Sequence, residues 1–382
     1  MSPIKVLAIA PDSITNPTGG LGVQWKEIYN RLNGKIDYYV VSQPDPIENN
    51  KYIGVKHPMP RLTHGGVNTI LGNTSYFAAA LKFPKPDIIH AMDWSVYFAG
   101  VCLAEHYNIP LVVSMQLSPV AMSQCGIFNC ANFNTVDGRA LHDAAVEIEK
   151  YGLAKCDKVV HVSRGYAEKY FKPFAHKAVV IPNGIDLNKW QETTKIIFPG
   201  EGKYKVVYIG RFTEMKAVRE LLTSDIPEEI DLIFIGAFKG GDIQTINLLK
   251  KKVAEVKNIH YIGPLYEQDK INALISADAI IMPSTHEPFG IVALEALASK
   301  SILLSSRIDG LGDYLNDFNS IYCGSKPESI SKALRDFLQL TLEEKEELIN
   351  NGIKTCKKYN WDNICNEYLD LYYSMIKINH TQ

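Results

Sequence analysis

Short apolar runs recur along the chain at spacings that leave room for a helix between them. Strands are predicted at Ile4 to Ala10, Tyr38 to Ser42, Asp87 to His90, Leu111 to Met115, Lys158 to Val162 and Ala178 to Ile181. A second set follows at Lys205 to Ile209, Leu232 to Ile235, Ile259 to Ile262, Ala279 to Met282, Ile302 to Leu304 and Ser320 to Tyr322. Helical patterns lie between many of them, for example Leu21 to Leu32 and Ala140 to Ala154. Near-continuous apolar strands separated by helices imply parallel sheets covered on both faces. This many strands exceed one comfortable sheet, so the pattern predicts an α/β chain of two doubly wound, Rossmann-like domains. The break falls in Pro182 to Gly200, where an N-G-I-D turn and the F-P-G-E-G cluster precede a new strand. The expected division is residues 1–185, residues 186–360, and a tyrosine-rich amphipathic helix within 361–382.

Composition narrows the picture without redirecting it. The 382 residues are 46% hydrophobic and 21% charged, ordinary globular values. A net charge of −2 gives no reason to expect nucleic acid or an anionic membrane as partner. No apolar stretch has the length of a membrane span, and Met1 to Ala10 lacks a signal-peptide layout, so a cytoplasmic protein is expected. The seven cysteines are scattered and odd in number. Cys125 and Cys130 have no second ligand pair, so free thiols are expected rather than a disulfide framework or a metal site.

The chemistry concentrates in E-P-F-G-I-V-A-L-E-A, Glu287 to Ala296, which joins an apolar strand to a helix. Glu287 and Glu295 stand eight positions apart, about two helical turns, so both carboxylates can face one side. Between them Phe289, Gly290 and Ile291 present backbone N–H groups at a helix N-terminus, where the dipole favours phosphate. Carboxylates for sugar hydroxyls beside N–H groups for phosphate fit a nucleotide sugar. In V-V-Y-I-G-R-F-T-E-M-K, Val206 to Lys216, a strand ends at Gly210 and two cations follow, Arg211 and Lys216. They can converge on a leaving diphosphate whose charge grows as the glycosidic bond breaks. The turn P-T-G-G-L-G, Pro17 to Gly22, offers Gly19 and Gly20 for close approach of backbone to phosphate.

Three further segments end strands with polar residues. Pro86 to Gly100 carries His90, Asp93 and Trp94. Asp93 suits a sugar hydroxyl and Trp94 the apolar face of a glucosyl ring, while a strand-end cap and a core indole account for the same residues. I-D-G-L-G-D, Ile308 to Asp313, presents Gly310 and Leu311. Asn129, Asn132 and Asn134 are candidates around an acceptor, though a plain solvated loop accounts for them better; Ser163 reads as a helix cap, and Gly184 as a hinge turn. His286 is assigned no role.

Together these segments resemble the retaining GT-B glycosyltransferases, and among them the archaeal and bacterial glycogen and starch synthases. The resemblance runs from P-T-G-G-L-G to the C-terminal helix. It implies the GT-B fold, with a cleft between the two domains and a last helix crossing back to the first. It also implies Arg211 and Lys216 on the phosphates, Glu287 on a donor-sugar hydroxyl and Glu295 on the ribose. Phe289, Gly290, Ile291, Gly310, Leu311, Gly19 and Gly20 border the donor, and His90 and Trp94 lie on the sugar side.

The chain departs from the family pattern at several positions. Pro17 replaces a lysine, Met92 a histidine, and Ala217 and Asp309 glycines; the resemblance puts phosphate beside the Asp309 turn, where a carboxylate would repel it, so that side chain is expected to point away or to alter nucleotide preference. Gln116 stands where the family has a histidine near the donor sugar; its amide can hydrogen-bond but cannot titrate. No D-x-D occurs, so the diphosphate is expected to be met by cations and N–H groups without metal or cofactor. The implied activity is retaining transfer of a hexose, glucose from ADP- or UDP-glucose, to an α-glucan or related saccharide. A transferase for a surface glycan or small glycoside with another donor, GDP-sugars included, stays open. So does a nucleotide-sugar or glycan-binding protein that has lost turnover. The nucleotide base, the acceptor and the oligomeric state are not legible.

Overall fold

A computed structural model describes residues 3–379 except 16, 18, 48, 57–64, 128–135 and 192–193. Asn129, Asn132, Asn134, Cys130 and Thr18 therefore lie outside the described residues. The strands are β1 (Lys5–Ile9), β2 (Asp37–Ser42), β3 (Tyr52–Gly54), β4 (Ile88–Met92), β5 (Leu111–Met115), β6 (Lys158–His161), β7 (Ala178–Val180), β8 (Tyr204–Ile209), β9 (Ile230–Ile235), β10 (Ile259–Tyr261), β11 (Ala279–Met282), β12 (Ile302–Ser305) and β13 (Ile321–Tyr322). The helices are α1 (Gly20–Leu32), α2 (Gly65–Ala80), α3 (Tyr97–Tyr107), α4 (Pro119–Gln124), α5 (Val136–Lys155), α6 (Arg164–Tyr170), α7 (Val218–Thr223), α8 (Ile243–Glu255), α9 (Glu267–Ser276), α10 (Ile291–Ala298), α11 (Pro327–Gln339), α12 (Leu342–Lys358) and α13 (Trp361–Asn379). The short strand β3 has too few residues to show a pattern and, among the described residues, is the one strand not anticipated. Among the described residues no helix is long and apolar enough to cross a membrane.

The chain divides into two compact units within the N-G-I-D turn: Met1–Asn183 with Trp361–Gln382, and Gly184–Asn360. The first holds a sheet in the order β3-β2-β1-β4-β5-β6-β7, the second a sheet in the order β10-β9-β8-β11-β12-β13. Neighbouring strands are parallel throughout both sheets. Both are doubly wound Rossmann-like sheets, with a topological switch at β1/β4 and at β8/β11, where such folds open a crevice at the strands' carboxyl ends. Apolar side chains fill the layers. Leu7, Ile89 and Val113 meet Tyr97, Leu103 and Tyr166 in the first unit. Val206, Phe234 and Ile281 meet Leu249, Ile330 and Phe337 in the second.

The helix α13 packs in the first unit through a buried polar network. Tyr372 Oη lies 2.7 Å from His90 Nδ1 and 3.3 Å from Tyr38 Oη. His90 Nε2 lies 2.6 Å from Ser114 Oγ. Gln24 Nε2 donates to Tyr368 Oη at 3.1 Å; outside the buried layer, Arg31 Nε donates to the exposed Asp362 at 2.9 Å. This corrects the placing of His90 on the sugar side. It stands in the middle of β4, is wholly buried, and has both ring nitrogens engaged. Burial pushes it down to about 3, so it stays neutral and ties the sheet to the last helix. Tyr372→Phe should strand His90 Nδ1 in a dry layer and lower stability by about 1–3 kcal/mol, read by denaturant unfolding.

A second buried group lies on α5. Glu149 Oε2 accepts from Ser118 Oγ at 2.8 Å and from the Val120 N–H at 2.7 Å, holding the start of α4. Burial pushes this carboxyl up from 4.5 to about 8, against those two hydrogen bonds. An acid whose pKa is higher folded than unfolded binds its proton more tightly in the fold. Its contribution to stability is therefore lost as pH rises from about 4.5 through about 8. Glu149→Gln is expected to flatten that slope, so its melting temperature should gain on the wild type between pH 6 and pH 9.

Candidate active site

In the second unit three loops leave the carboxyl ends of adjacent strands, β8, β11 and β12. The β8 loop carries Arg211, exposed, with its carbonyl accepting from Tyr208 Oη at 2.7 Å. It then forms a 3-10 turn, Glu214–Lys216. The β11 loop carries Glu287 and is tied to the first by the Thr285 N–H donating to the Met215 carbonyl at 2.9 Å. Lys216 Nζ is ion-paired with Glu287 Oε2, with the two side chains only 18% and 10% exposed. Two residues expected in the chemistry are thus brought together, a cation and a carboxylate at a switch point.

After Glu287 the chain turns left-handed at Gly290 (φ 86°, ψ 66°) and enters α10, whose N-terminus has no side-chain cap. A Cβ at Gly290 would lie 2.5 Å from Leu311 Cδ2, so glycine is needed both for the angle and for the close approach. Tyr314 Oη reaches the carbonyls of Phe289 and Gly290, at 2.9 Å each. Phe289 and Leu311 are buried, and the Phe289 ring packs 5.2 Å from that of Tyr314. These two can offer a ligand backbone groups only. Ile291 opens the helix and is half-buried.

Glu295, on the next turns of α10, is paired through Oε1 with Lys270 of α9. Its Oε2 is buried with no hydrogen-bond partner among the described residues. An orphaned acceptor of this kind costs free energy until a donor arrives. The β12 loop ends in a 3-10 turn, Asp309–Asp313, with Gly310 and Leu311 buried within it. Asp309 turns its carboxylate inward onto His286 and the Glu287 N–H, shut off from solvent. Glycine is also needed where the β8 and β9 loops cross. A Cβ at Gly236 would sit 2.1 Å from the Gly210 carbonyl oxygen.

The first unit carries its own candidates at its strand ends. Gly19 is the extended N-cap of α1 and Gly20 its first residue, both exposed. A Cβ at Gly19 would meet nothing within 4 Å, so the fold itself leaves room there. Asp93 Oδ1 accepts from the Ser95 N–H at 3.0 Å and from Ser95 Oγ at 2.7 Å, capping a 3-10 turn, Trp94–Val96. Burial first, then nearby Asp12, push its carboxyl up to about 6 against those bonds. Trp94 is half-buried against the core. The Gln116 amide follows β5 and exchanges hydrogen bonds with the Asn183 amide, at 3.3 and 3.5 Å. Ser163 caps α6 by accepting the Tyr166 N–H at 3.3 Å.

Two family models match the chain: Glycosyltransferase Family 4 over residues 18–189 and Glycosyl transferases group 1 over residues 191–355. Glycogen synthase of Mycobacterium tuberculosis is 27% identical over 265 residues, 66% of this chain and 60% of that protein. Among solved structures, sucrose-phosphate synthase from Thermosynechococcus elongatus superposes with a TM-score of 0.77 at 18% identity, covering 98% of this chain and 100% of that one. Anabaena HepE in complex with UDP-glucose gives 0.72 at 14% identity, covering 97% and 100%. The chain is a GT-B glycosyltransferase.

Three features of this glycosyltransferase's site were not anticipated from sequence. They are the Lys270 partner of Glu295, the Tyr314 clamp on the Gly290 turn, and the pairing of His286 with Asp309. Each joins residues far apart in sequence, so no local pattern announces it. The one available signal was Asp309 at a family glycine position. Gly290→Ala should cost about 1–3 kcal/mol through strain and overpacking, read by thermal unfolding. It should also weaken nucleoside-diphosphate binding, read by calorimetry.

Proposed function

We propose that this glycosyltransferase moves a hexose, glucose from ADP- or UDP-glucose, to an α-glucan or related saccharide with retention of anomeric configuration. The observation that carries the reading is the Lys216–Glu287 pair beside the uncapped, left-handed entry to α10. A donor diphosphate placed on the α10 N–H groups takes up Lys216 and Arg211 as counter-charges. Glu287 is then released to accept a hydrogen bond from a donor-sugar hydroxyl, while the unpartnered Glu295 oxygen accepts from the ribose. As the bond from the sugar to the diphosphate breaks, negative charge grows on the leaving phosphate where the two cations stand. The acceptor oxygen enters on the face the diphosphate leaves. The positive charge comes from side chains and helix N–H groups, so no divalent cation is needed.

The glucose donor and glucan acceptor are supported by the E-P-F-G-I-V-A-L-E-A run and by the glycogen synthase among the relatives. The solved HepE complex with UDP-glucose supports a nucleotide-sugar donor. A surface glycan or small glycoside is the second acceptor class. It is favoured by Gln116, whose amide is already bonded to Asn183 where the resembled family has a histidine.

The test is turnover of ADP-, UDP- and GDP-sugars with glycogen and maltooligosaccharides, in EDTA. Glucose transfer with retention is expected, falling by roughly 10²–10³-fold in Lys216→Ala and lost in Glu287→Ala. Donor binding without transfer to any glucan sinks the α-glucan assignment. No hydrolysis of any donor sinks turnover itself, and a requirement for added metal sinks the cation argument.

A further inference from the structure

His286 and Asp309 stand on different loops, and both side chains are shut off from solvent. His286 Nδ1 lies 2.9 Å from Asp309 Oδ2. The same carboxylate oxygen accepts the Glu287 N–H at 3.2 Å. The Gly310 N–H donates to the Glu287 carbonyl at 3.1 Å. The backbone of Glu287 is thus anchored on both its N–H and its carbonyl by residues 309 and 310, with His286 bracing the anchor. The Leu311 N–H closes the turn on the Ile308 carbonyl at 3.0 Å without help from the Asp309 side chain.

The backbone gives an independent reason to attach weight to Asp309. Its φ is +49°, in the left-handed region that glycine occupies freely and other residues hold only when the surroundings over-determine them. Glycine is the residue of the resembled motif at this position. The chain instead accepts strain and buries a carboxylate, which is unfavourable unless it is paired and hydrogen-bonded. Among the groups that satisfy it are the His286 imidazole and the Glu287 N–H.

We propose that His286 and Asp309 form a positioning pair that sets Glu287 against Lys216 and so fixes its reach to the donor sugar. Neither residue touches the donor. The inference rests on the reading of Glu287 as the donor-sugar carboxylate and names what holds it. Because the pair acts on Glu287 and not on Arg211, its loss changes turnover more than nucleoside-diphosphate affinity.

The test compares Asp309→Gly, Asp309→Asn, His286→Leu and His286→Asn with the wild type, using whichever donor the wild type turns over. Asp309→Gly relieves the backbone strain, so it is the variant expected to fold best while lacking the carboxylate. Asp309→Gly and His286→Leu should lose kcat by about tenfold or more, with the Kd for the free nucleoside diphosphate held within about threefold. Asp309→Asn keeps an acceptor and His286→Asn keeps a donor near the Nδ1 position, so both should recover most of the loss. Wild-type kcat in Asp309→Gly overturns the pair, as does a fall in nucleotide affinity that matches the fall in kcat. Asp309→Asn as damaged as Asp309→Gly also overturns it. Crystal structures of the wild type and Asp309→Gly decide the matter independently of turnover. A displaced Glu287 that has left Lys216 supports the pair, and an unmoved one refutes it. A wild type that binds no nucleotide sugar refutes the site reading instead, leaving the crystallographic comparison to judge the pair.

Discussion

A carboxylate kept nearly dry at the end of a strand is the constraint around which the second unit's site is built. Glu287 would be costly to bury alone, and Lys216 offsets that cost. The two meet because β11 runs beside β8, so the loop with the lysine and the loop with the glutamate emerge side by side. Strand β12, on the other side of β11, supplies the loop that grips the Glu287 backbone. One strand order therefore brings three separate stretches of sequence onto a single residue. The left-handed turn at Gly290 then swings the chain into α10, at a point where a Cβ would lie 3.2 Å from the Glu287 side chain.

Much of this was legible in the chain. Continuous apolar runs such as Leu111 to Met115 and Ala279 to Met282 announce parallel strands, because only strands covered on both faces can afford no polar side. The meeting of Lys216 with Glu287 was legible because their spacing from strand ends fixes where the backbone carries them. What stayed hidden is where side chains go after the backbone has placed them. His90 has the appearance of a strand-end ligand in sequence, yet it lies within β4 and turns to α13. The partner is 282 residues away, beyond any local pattern. Lys270 and Glu295 meet only because α9 and α10 pack together, and His286 and Asp309 only because their loops are neighbours. Burial of Glu149 was equally invisible, since its helix reads as ordinary charged surface.

The first unit shows how polar groups specify a docking that apolar area alone would leave loose. The rings of Trp25, Tyr38, Tyr368 and Tyr372 would pack against many surfaces. The hydrogen bonds from His90, Gln24 and Tyr38 to the two C-terminal tyrosines admit one rotation and one height of α13. A buried network of this kind rewards the correct arrangement because every alternative leaves unpaired groups in a dry layer.

That arrangement reverses the order in which the halves of the protein can mature during synthesis. The second unit is one uninterrupted stretch, Gly184–Asn360, and has all its parts once that stretch has emerged. The first unit, although most of it is translated first, lacks α13 until Trp361–Asn379 have also emerged from the ribosome. Until then the face of its sheet around His90 waits uncovered, so the first unit is finished only after the second.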